Sequence, residues 1–538
     1  MSFNKIFFLD NSIYKWSNIN NEIYNIYFKG YIYINSKLYN KDNLSELLKK
    51  IIKIKLTENI DEISRNISGN FSLFFTDQKN TIVIVDRIQS YSIFYYKHKD
   101  YIYFSNDVFL LKNKFNVCEI NRFEKLNFKM SGYTFGNNTL YNDLFKMQAG
   151  EYFLINNMSN KFYHNSYYSF FNNKKINLPK KDLIEKLDSI NKKTFLKLIE
   201  TLNGRQVVIP LSGGLDSRAI LAFLIKYKYD NIRTYTYGVK GFNEISYAKK
   251  IARKVNIEWD YVEFNRYKVK KMFNSQDRVQ YFKYASGLNT TPNLSGYFAH
   301  RLLSNNKHID KDAIIINGQS GDFISGDHVP LINDNKLDKI NYDFLCNFFI
   351  NKHYALWTNL LTNQNKKQIN NMFKSLYTNS ITANLSYQEF SNYFELFEWK
   401  ERQTKFLING SRMYEWFGLD WRLPLWDDEY LFFWESVPLK YKLSQNLYKD
   451  FLFSKNPSGL FNLNFNIPSN NRKLISIIIS LISKITNNKK YHLFEKYFLQ
   501  YGPYYPHENF FQFSKDALYH RNAVSYWSKY FLDELNNY

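Results

Sequence analysis

A chain of 538 residues with 45% hydrophobic and 22% charged residues is too long for one hydrophobic core and too apolar to be disordered, so about two to four soluble domains are expected. The formal charge of +23 raises nucleic acid or an anionic membrane as partners, but the lysines are scattered in doublets such as Lys49-Lys50, Lys174-Lys175 and Lys489-Lys490, without an Arg-rich stripe; a solvated basic surface is expected and nucleic acid is not. Cys118 and Cys346 are the only cysteines and lie far apart, which excludes a disulfide scaffold and a cysteine-based zinc site.

The first ten residues lack the basic start, apolar run and cleavage site of a signal peptide, and a cytoplasmic enzyme is expected. Residues 1 to 171 read as short strands (70–75, 81–85, 92–96 and 101–104) separated by polar turns, with one helical segment at 41–56: a layered α+β domain with antiparallel sheets. The polar stretch 172–181 reads as a linker. A helix over 182–202 leads to the apolar run 206–211, followed by strands at 232–237, 259–264 and 313–316 with helices between them. That alternation predicts a doubly wound parallel sheet. Beyond about 335 the chain reads as helical, to 455 within the second domain and over 456–538 as an extension. Its most apolar stretch, 474–483, is broken by serines and too short for a bilayer, so a buried helix is expected and membrane insertion is not.

Ser212-Gly213-Gly214-Leu215-Asp216-Ser217 follows the run that ends in Pro210 and Leu211 and precedes a helical segment. Strand, glycine turn and helix start are what a nucleotide phosphate site requires: glycines admit the anion to the backbone, the helix offers unpaired N–H groups, and the serines add hydroxyls. Asp216 is placed to hold a magnesium ion against the phosphates. The plain alternative is an ordinary βα turn. A second loop, Asn317-Gly318-Gln319-Ser320-Gly321-Asp322, leaves another strand of the same inferred sheet, so that Asp322 faces Asp216 across one crevice; alone it would read as a Gly/Asp turn. A third stretch sets Asp420, Arg422 and Asp427 close together. Arg422 suits a carboxylate or phosphate grip, although spacing alone favours a structural salt-bridge cluster.

Together these stretches resemble the asparagine synthetase family, whose pattern is Ser-Gly-Gly-(Leu/Val)-Asp-Ser, then Ser-Gly-Glu-Gly-(Ala/Ser)-Asp-Glu, then Glu-x-Arg-x-Pro-Phe-Leu-Asp. Gly318 and Asp322 match the second, with Gly321 at its small-residue position; Asp420, Arg422, Pro424 and Asp427 match the third with Asp for Glu. The stretches 69–77, 86–87, 94–96, 104–107 and 138–151 resemble the family's N-terminal glutamine amidotransferase half, an Ntn-hydrolase-like sandwich. The resemblance implies ATP and Mg²⁺ as cofactors and a carboxylate activated as an acyl-adenylate with release of pyrophosphate. It implies that Ser212, Gly213, Gly214, Asp216 and Ser217 hold pyrophosphate and metal, that Asp322 is the second metal ligand, and that the backbone around Pro210, Leu211, Leu215, Gly238, Asn317 and Gly318 contacts adenine and ribose. Asp216, Asp322 and Arg422 are the catalytic candidates.

The departures are as informative. Glutamine-using members begin, after methionine removal, with a catalytic cysteine, whereas position 2 is Ser2; their glutamine-gripping Asn-Gly-Glu-Ile-Tyr-Asn is replaced by Lys29-Gly-Tyr-Ile-Tyr-Ile34. An inactive amidotransferase-like domain is expected, with ammonia or a substrate amine as nitrogen donor. Gln319 stands where asparagine synthetases carry Glu and β-lactam synthetases Tyr, and an amide is no general base. Phe323 replaces the next Glu, and the family's later lysine is left to Lys442, Lys449 or Lys473. The expected activity is an amide-forming, AMP-producing ligase acting on a small carboxylate, a sugar acid or a peptide, with a homodimer allowed. The rivals are a tRNA-modifying ATP-pyrophosphatase, disfavoured because about 200 residues precede the glycine loop, and a non-catalytic nucleotide-binding scaffold, disfavoured by the intact Asp216 and Asp322.

Overall fold

A computed structural model describes residues 6–463 and 513–537, apart from short breaks at 12–15, 59, 61–65, 99–100, 160, 173, 242, 305–306, 334–339, 377–383, 514 and 517–518. The N-terminal strands are β1 (Ile6–Leu9), β2 (Ser17–Asn20), β3 (Asn25–Ile34), β4 (Lys37–Tyr39), β5 (Ile67–Thr76) and β6 (Asn80–Val85). They continue as β7 (Phe94–His98), β8 (Tyr101–Ser105), β9 (Leu144–Lys146), β10 (Glu151–Asn156) and β11 (Phe162–Ser166). They form two sheets, β1-β8-β7-β9 and β11-β10-β6-β5-β3-β2, with β4 on β3. The expected antiparallel pairing holds except between β1 and β8, which run parallel.

Alternation along β5 and β6 explains the layering. Phe71, Leu73, Phe75, Ile82 and Ile84 pack with Leu44, Leu47, Leu48 and Ile51 of the helix Leu44–Lys53. Phe74, Val83 and Val85 belong to the core shared with Phe94, Phe104 and Phe153 of the other strands. One sheet is therefore buried on both faces, and the half is a helix–sheet–sheet sandwich. Its central side chains each contribute roughly 1.5–3 kcal/mol by leaving water.

The second sheet system is β12 (Val207–Pro210), β13 (Ile232–Gly238), β14 (Glu258–Glu263), β15 (Ile314–Ile316) and β16 (Asp420–Arg422), in the order β14-β13-β12-β15-β16 with every pairing parallel. Val207, Val208 and Ile209 are completely buried, as are Ile314, Ile315 and Ile316, because helices cover both faces of such a sheet. The parallel sheet is as expected; its edge strand β16 was not foreseen, since the third stretch was read as a charge cluster rather than a strand. The stretch 172–181 is tied down in part: the Ile176 N–H donates to the Ser436 carbonyl at 2.8 Å, and the helix Lys180–Leu202 begins within it.

The apolar stretch 474–483 and Lys473 lie outside the described residues. Of the C-terminal extension, the helix Ala523–Glu534 is described; Phe531 stacks on Phe128 of the N-terminal half at 5.3 Å and Glu534 receives Arg278. Among the described residues no helix is long and apolar enough to cross a membrane.

His300, on the helix Leu294–Leu303, is fully buried against Tyr414 and Phe417, and its Nε2 pairs with the Tyr235 hydroxyl at 2.8 Å. Burial holds its pKa down at about 3. The unfolded chain takes up this proton below about pH 6.5 and the folded chain does not, so this contribution to stability is complete above 6.5 and declines as pH falls toward 3. Between pH 7.5 and 5 the loss is about 2 kcal/mol. In urea unfolding, the stability advantage of wild type over His300→Phe should shrink by that amount across this interval; a pH-independent difference would show that His300 protonates freely in the fold.

Candidate active site

β12 ends at Pro210, and the Leu211 N–H still donates to the Tyr235 carbonyl at 2.8 Å, so the glycine loop leaves a rigid strand end. The two serines brace it. Ser217 Oγ accepts from the Ser212 N–H at 3.0 Å and pairs with Ser212 Oγ at 3.0 Å, while Ser212 Oγ accepts from the Gly214 N–H at 3.1 Å. Arg218 donates to the Gly213 carbonyl at 2.8 Å, turning that carbonyl into the protein. A side chain at Gly213 would lie 2.7 Å from the Tyr247 ring. The helix Leu215–Lys226 then starts with Gly214 as its N-cap and no side-chain capping bond, which leaves amide donors and the positive dipole end for an anion.

The second loop leaves the neighbouring β15 and closes onto the first. The Asn317 N–H donates to the Arg422 carbonyl at 3.1 Å, extending the β15–β16 ladder, and Asn317 Nδ2 donates to the Tyr414 hydroxyl at 2.8 Å. Ser320 takes a left-handed conformation at φ 68°, and the one-turn helix Gly321–Ile324 follows. There the Asp322 N–H donates to Asp216 Oδ2 at 3.0 Å. The approach requires glycine: a Cβ on Gly318 would sit 2.7 Å from the Ser217 amide nitrogen, and one on Gly321 2.5 Å from the Asp216 carboxyl carbon. Gly238 ends β13 at the same edge, its carbonyl accepting from the Phe264 N–H at 2.8 Å.

Asp216 carries the signature of an incomplete polar site. Its Oδ1 is buried without a well-formed hydrogen bond, although the Tyr448 hydroxyl lies beside the carboxylate, and burial, reinforced by the nearby Asp322 charge, pushes its pKa up to about 7. A buried carboxylate oxygen so placed, beside a second carboxylate, fits a divalent cation. Asp322 is half exposed; burial raises its pKa, but bonding to His328 outweighs this and holds the group below its ordinary value. The charge pair and its glycine cradle thus suit a magnesium–phosphate ligand.

The structure adds residues that sequence reasoning missed. His328 Nε2 lies 3.3 Å from Asp322 Oδ2 and its Nδ1 3.3 Å from Glu398 Oε2. Burial alone would lower the pKa of His328, yet these two carboxylates raise it to about 9. Glu398 is completely buried at the start of a π-helical segment, Glu398–Leu407, with Lys352 Nζ at 2.9 Å and His353 Nε2 at 3.0 Å. Gln403 of the same segment donates to Glu398 at 3.2 Å and accepts from Ser320 Oγ at 2.6 Å, tying the second loop to this network. No spacing rule marks these partners, because they come from three separate segments; a His six residues beyond Asp322 was the one available signal.

The remaining candidates divide. Arg422 is buried, but its guanidinium donates to Thr201 Oγ1 at 3.2 Å and to the Trp421 carbonyl at 2.8 Å and lies 4.7 Å from the Tyr31 ring centroid, on the side facing the N-terminal strands. Asp420 pairs with Arg205 at 2.8 Å and Asp427 with Lys197 at 3.1 Å, the structural cluster that spacing suggested. Gln319 is half-buried, and Phe323 is buried against Trp426 and Phe170. Lys442 is buried in an ion pair with Glu395, and Lys449 bonds the Ser444 carbonyl at the surface. Tyr31, in the segment that replaces the glutamine grip, is half-buried and donates to Asn70 Oδ1 at 2.9 Å. Ser2 lies outside the described residues.

Comparison with known proteins agrees with this geometry. Residues 201–452 match the family model described as asparagine synthase. No match was found among curated proteins. Among solved structures, glutamine phosphoribosylpyrophosphate (PRPP) amidotransferase from B. subtilis, complexed with ADP and GMP, is similar at 10% identity over 56% of this chain and 63% of that one; its TM-score of 0.16 carries no argument. The chain thus spans less than two thirds of that structure's length. The matched segment contains both loops and all five strands of the parallel sheet, so it is residues 201–452 that are similar to the asparagine synthase family.

Proposed function

We propose that the protein is an ATP-dependent, amide-forming ligase that activates a carboxylate as an acyl-adenylate, releases pyrophosphate, and passes the acyl group to ammonia or to an amine. The observation that carries this reading is the meeting of Asp216 and Asp322 from adjacent parallel strand ends, beside an uncapped helix N-terminus. ATP is the substrate of this crevice. Ser212, Ser217 and the amides of the glycine loop receive the departing pyrophosphate, and the strand ends at Pro210, Leu211, Gly238, Asn317 and Gly318 bound the nucleoside side. Magnesium, held by Asp216 and Asp322, supplies charge neutralisation for the triphosphate and the leaving group.

In the first step a substrate carboxylate oxygen bonds the α-phosphorus and the bond to the bridging oxygen breaks, so pyrophosphate leaves with the electron pair. In the second, nitrogen bonds the acyl carbon, AMP leaves from it, and the nitrogen sheds one proton. The protein's part is positioning and electrostatics: two rigid loops fix the phosphates in line with the acid, and the network behind Asp322 fixes that carboxylate. The nitrogen comes from solution or from an amine, because Tyr31, in the stretch replacing the glutamine grip, is committed to Asn70 and Arg422. A small acid, sugar acid or peptide is the acceptor, and the reaction belongs in the cytoplasm where ATP is supplied.

Pyrophosphate release with Mg·ATP should depend on an added carboxylate and on ammonia or an amine, with no stimulation by glutamine when ammonia is low; stimulation by glutamine would overturn the nitrogen assignment. Asp216→Asn should lower this release about a hundredfold or more with folding intact, as expected when a charge in the phosphate site is lost. Gly318→Ala should remove ATP binding in equilibrium titration, since its methyl group enters the Ser217 backbone; unchanged binding would show that the loops are not in contact in solution.

A further inference from the structure

Behind His328, on its far side from the glycine loop, lies a cavity of about 240 Å³ between the helix Tyr342–His353, the π-helical segment and the N-cap of the helix Ala523–Glu534. Lys352, Arg402 and Arg521 line it, together with Tyr133 and the two histidines His328 and His353, and among the described residues no carboxylate does. The nearest acid is Glu398, buried in the wall, 2.9 Å from Lys352 and 4.0 Å from Arg402. Asp322, 3.3 Å from His328, also acts on Lys352 and Arg402, so two carboxylates outside the cavity lining face three cations within it. Arg521 is held by neutral groups, donating to the backbone carbonyls of Lys352 at 2.5 Å and Asn351 at 3.4 Å. Tyr133 supplies an independent sign: it is 1% exposed, and its hydroxyl is buried without a hydrogen-bond partner. A buried donor beside two guanidinium groups, of which Arg402 is partly offset by Glu398 and Arg521 stands at the exposed mouth, suits an anionic acceptor.

Resting on the ligase reading above, we propose that this cavity holds a second acid group of the acceptor, a carboxylate or a phosphate other than the one activated, so that the substrate carries at least two acidic groups. The reacting acid is excluded from it on two grounds. A carboxylate gripped by two guanidinium groups is a poor nucleophile, and the cavity is separated from Asp322, and hence from the phosphates, by the width of the His328 imidazole. The arrangement lets one molecule span both: its anchored acid sits among Lys352, Arg402 and Arg521, and its reacting acid reaches past His328 toward the α-phosphate.

The test uses succinate and inorganic phosphate as calorimetric probes on the full chain, without ATP. At least one should bind wild type, lose tenfold or more in affinity in the double variant Arg402→Gln/Arg521→Gln and severalfold in Tyr133→Phe, while Mg·ATP affinity stays unchanged as the control for folding. The probe that responds distinguishes a dicarboxylate from a phosphorylated acceptor. Absence of binding, or binding equal in wild type and both variants, overturns the proposal. In pyrophosphate release, a diacid should outperform its monoester at least tenfold in KM with a much smaller change in kcat, and equal KM values overturn the acceptor role. Probe binding that the variants abolish, with no pyrophosphate release from any acid, would leave an anion site and overturn the ligase reading instead.

Discussion

Everything at this site follows from one contact: the amide of Asp322 donating to the carboxylate of Asp216 at 3.0 Å, between loops that leave adjacent strands β12 and β15. Parallel strands end side by side, so loops leaving their C-terminal ends share a crevice as a matter of topology. Topology alone leaves the loops a side chain apart. Gly318 and Gly321 remove that layer, bringing backbone against backbone and placing two carboxylates where ordinary residues would keep them separate. The remaining Asp216 oxygen is buried and accepts no well-formed hydrogen bond, with the Tyr448 hydroxyl the side-chain donor beside this carboxylate, so the contact that builds the site also leaves a group suited to a cation.

Such a pair opposes folding, and the surroundings show how the cost is contained. Asp216 is pushed up to about 7 by burial and by its neighbour, which lets it exist near neutrality in part as the uncharged acid. Asp322 goes the other way because His328 bonds it, and His328 is in turn anchored by the buried Glu398. Two neighbouring carboxylates with pKa values driven apart by different environments are a recurrent mark of sites that bind charge rather than of sites that stabilise a fold. Glu398 is itself surrounded by Lys352 and His353, so the charge network continues from the crevice at Asp216 and Asp322 into the basic cavity behind it.

The parallel sheet, the glycine loop and Asp322 are legible in the sequence, because each depends on residues adjacent in the chain. Apolar runs such as 206–211 declare a buried parallel strand, and Gly-Gly before a helical segment declares a phosphate turn. What stayed illegible was long-range. His328, Lys352, Glu398 and Arg521 meet from positions up to 193 residues apart, from His328 to Arg521, and none follows a spacing rule. Arg422 shows the converse: its position in the motif was readable, but its side chain direction depends on β16 being an edge strand packed toward Tyr31, which no local pattern reveals.

That orientation of Arg422 bears on what the N-terminal half does. A guanidinium stacked at 4.7 Å on the half-buried Tyr31 and bonded to Thr201 joins β3 to the parallel sheet and to the helix Lys180–Leu202 at once. Arg87 repeats the device nearby, pairing with Asp428 at 2.7 Å beneath the rings of Tyr167, Tyr168 and Phe432. Buried pairs of this kind add little net stability over apolar packing, but they are costly to break singly, which makes them registers: they fix one arrangement of two surfaces and penalise others. Arg422 is itself the last residue of β16, and its own carbonyl accepts from the Asn317 amide of the second loop at 3.1 Å. A shift of the N-terminal sandwich would therefore reach Asn317 and Gly318 through a single strand. On this physical ground the sandwich contributes to the candidate site by fixing the edge strand against which the second loop is hung, a role that requires no hydrolase chemistry of its own.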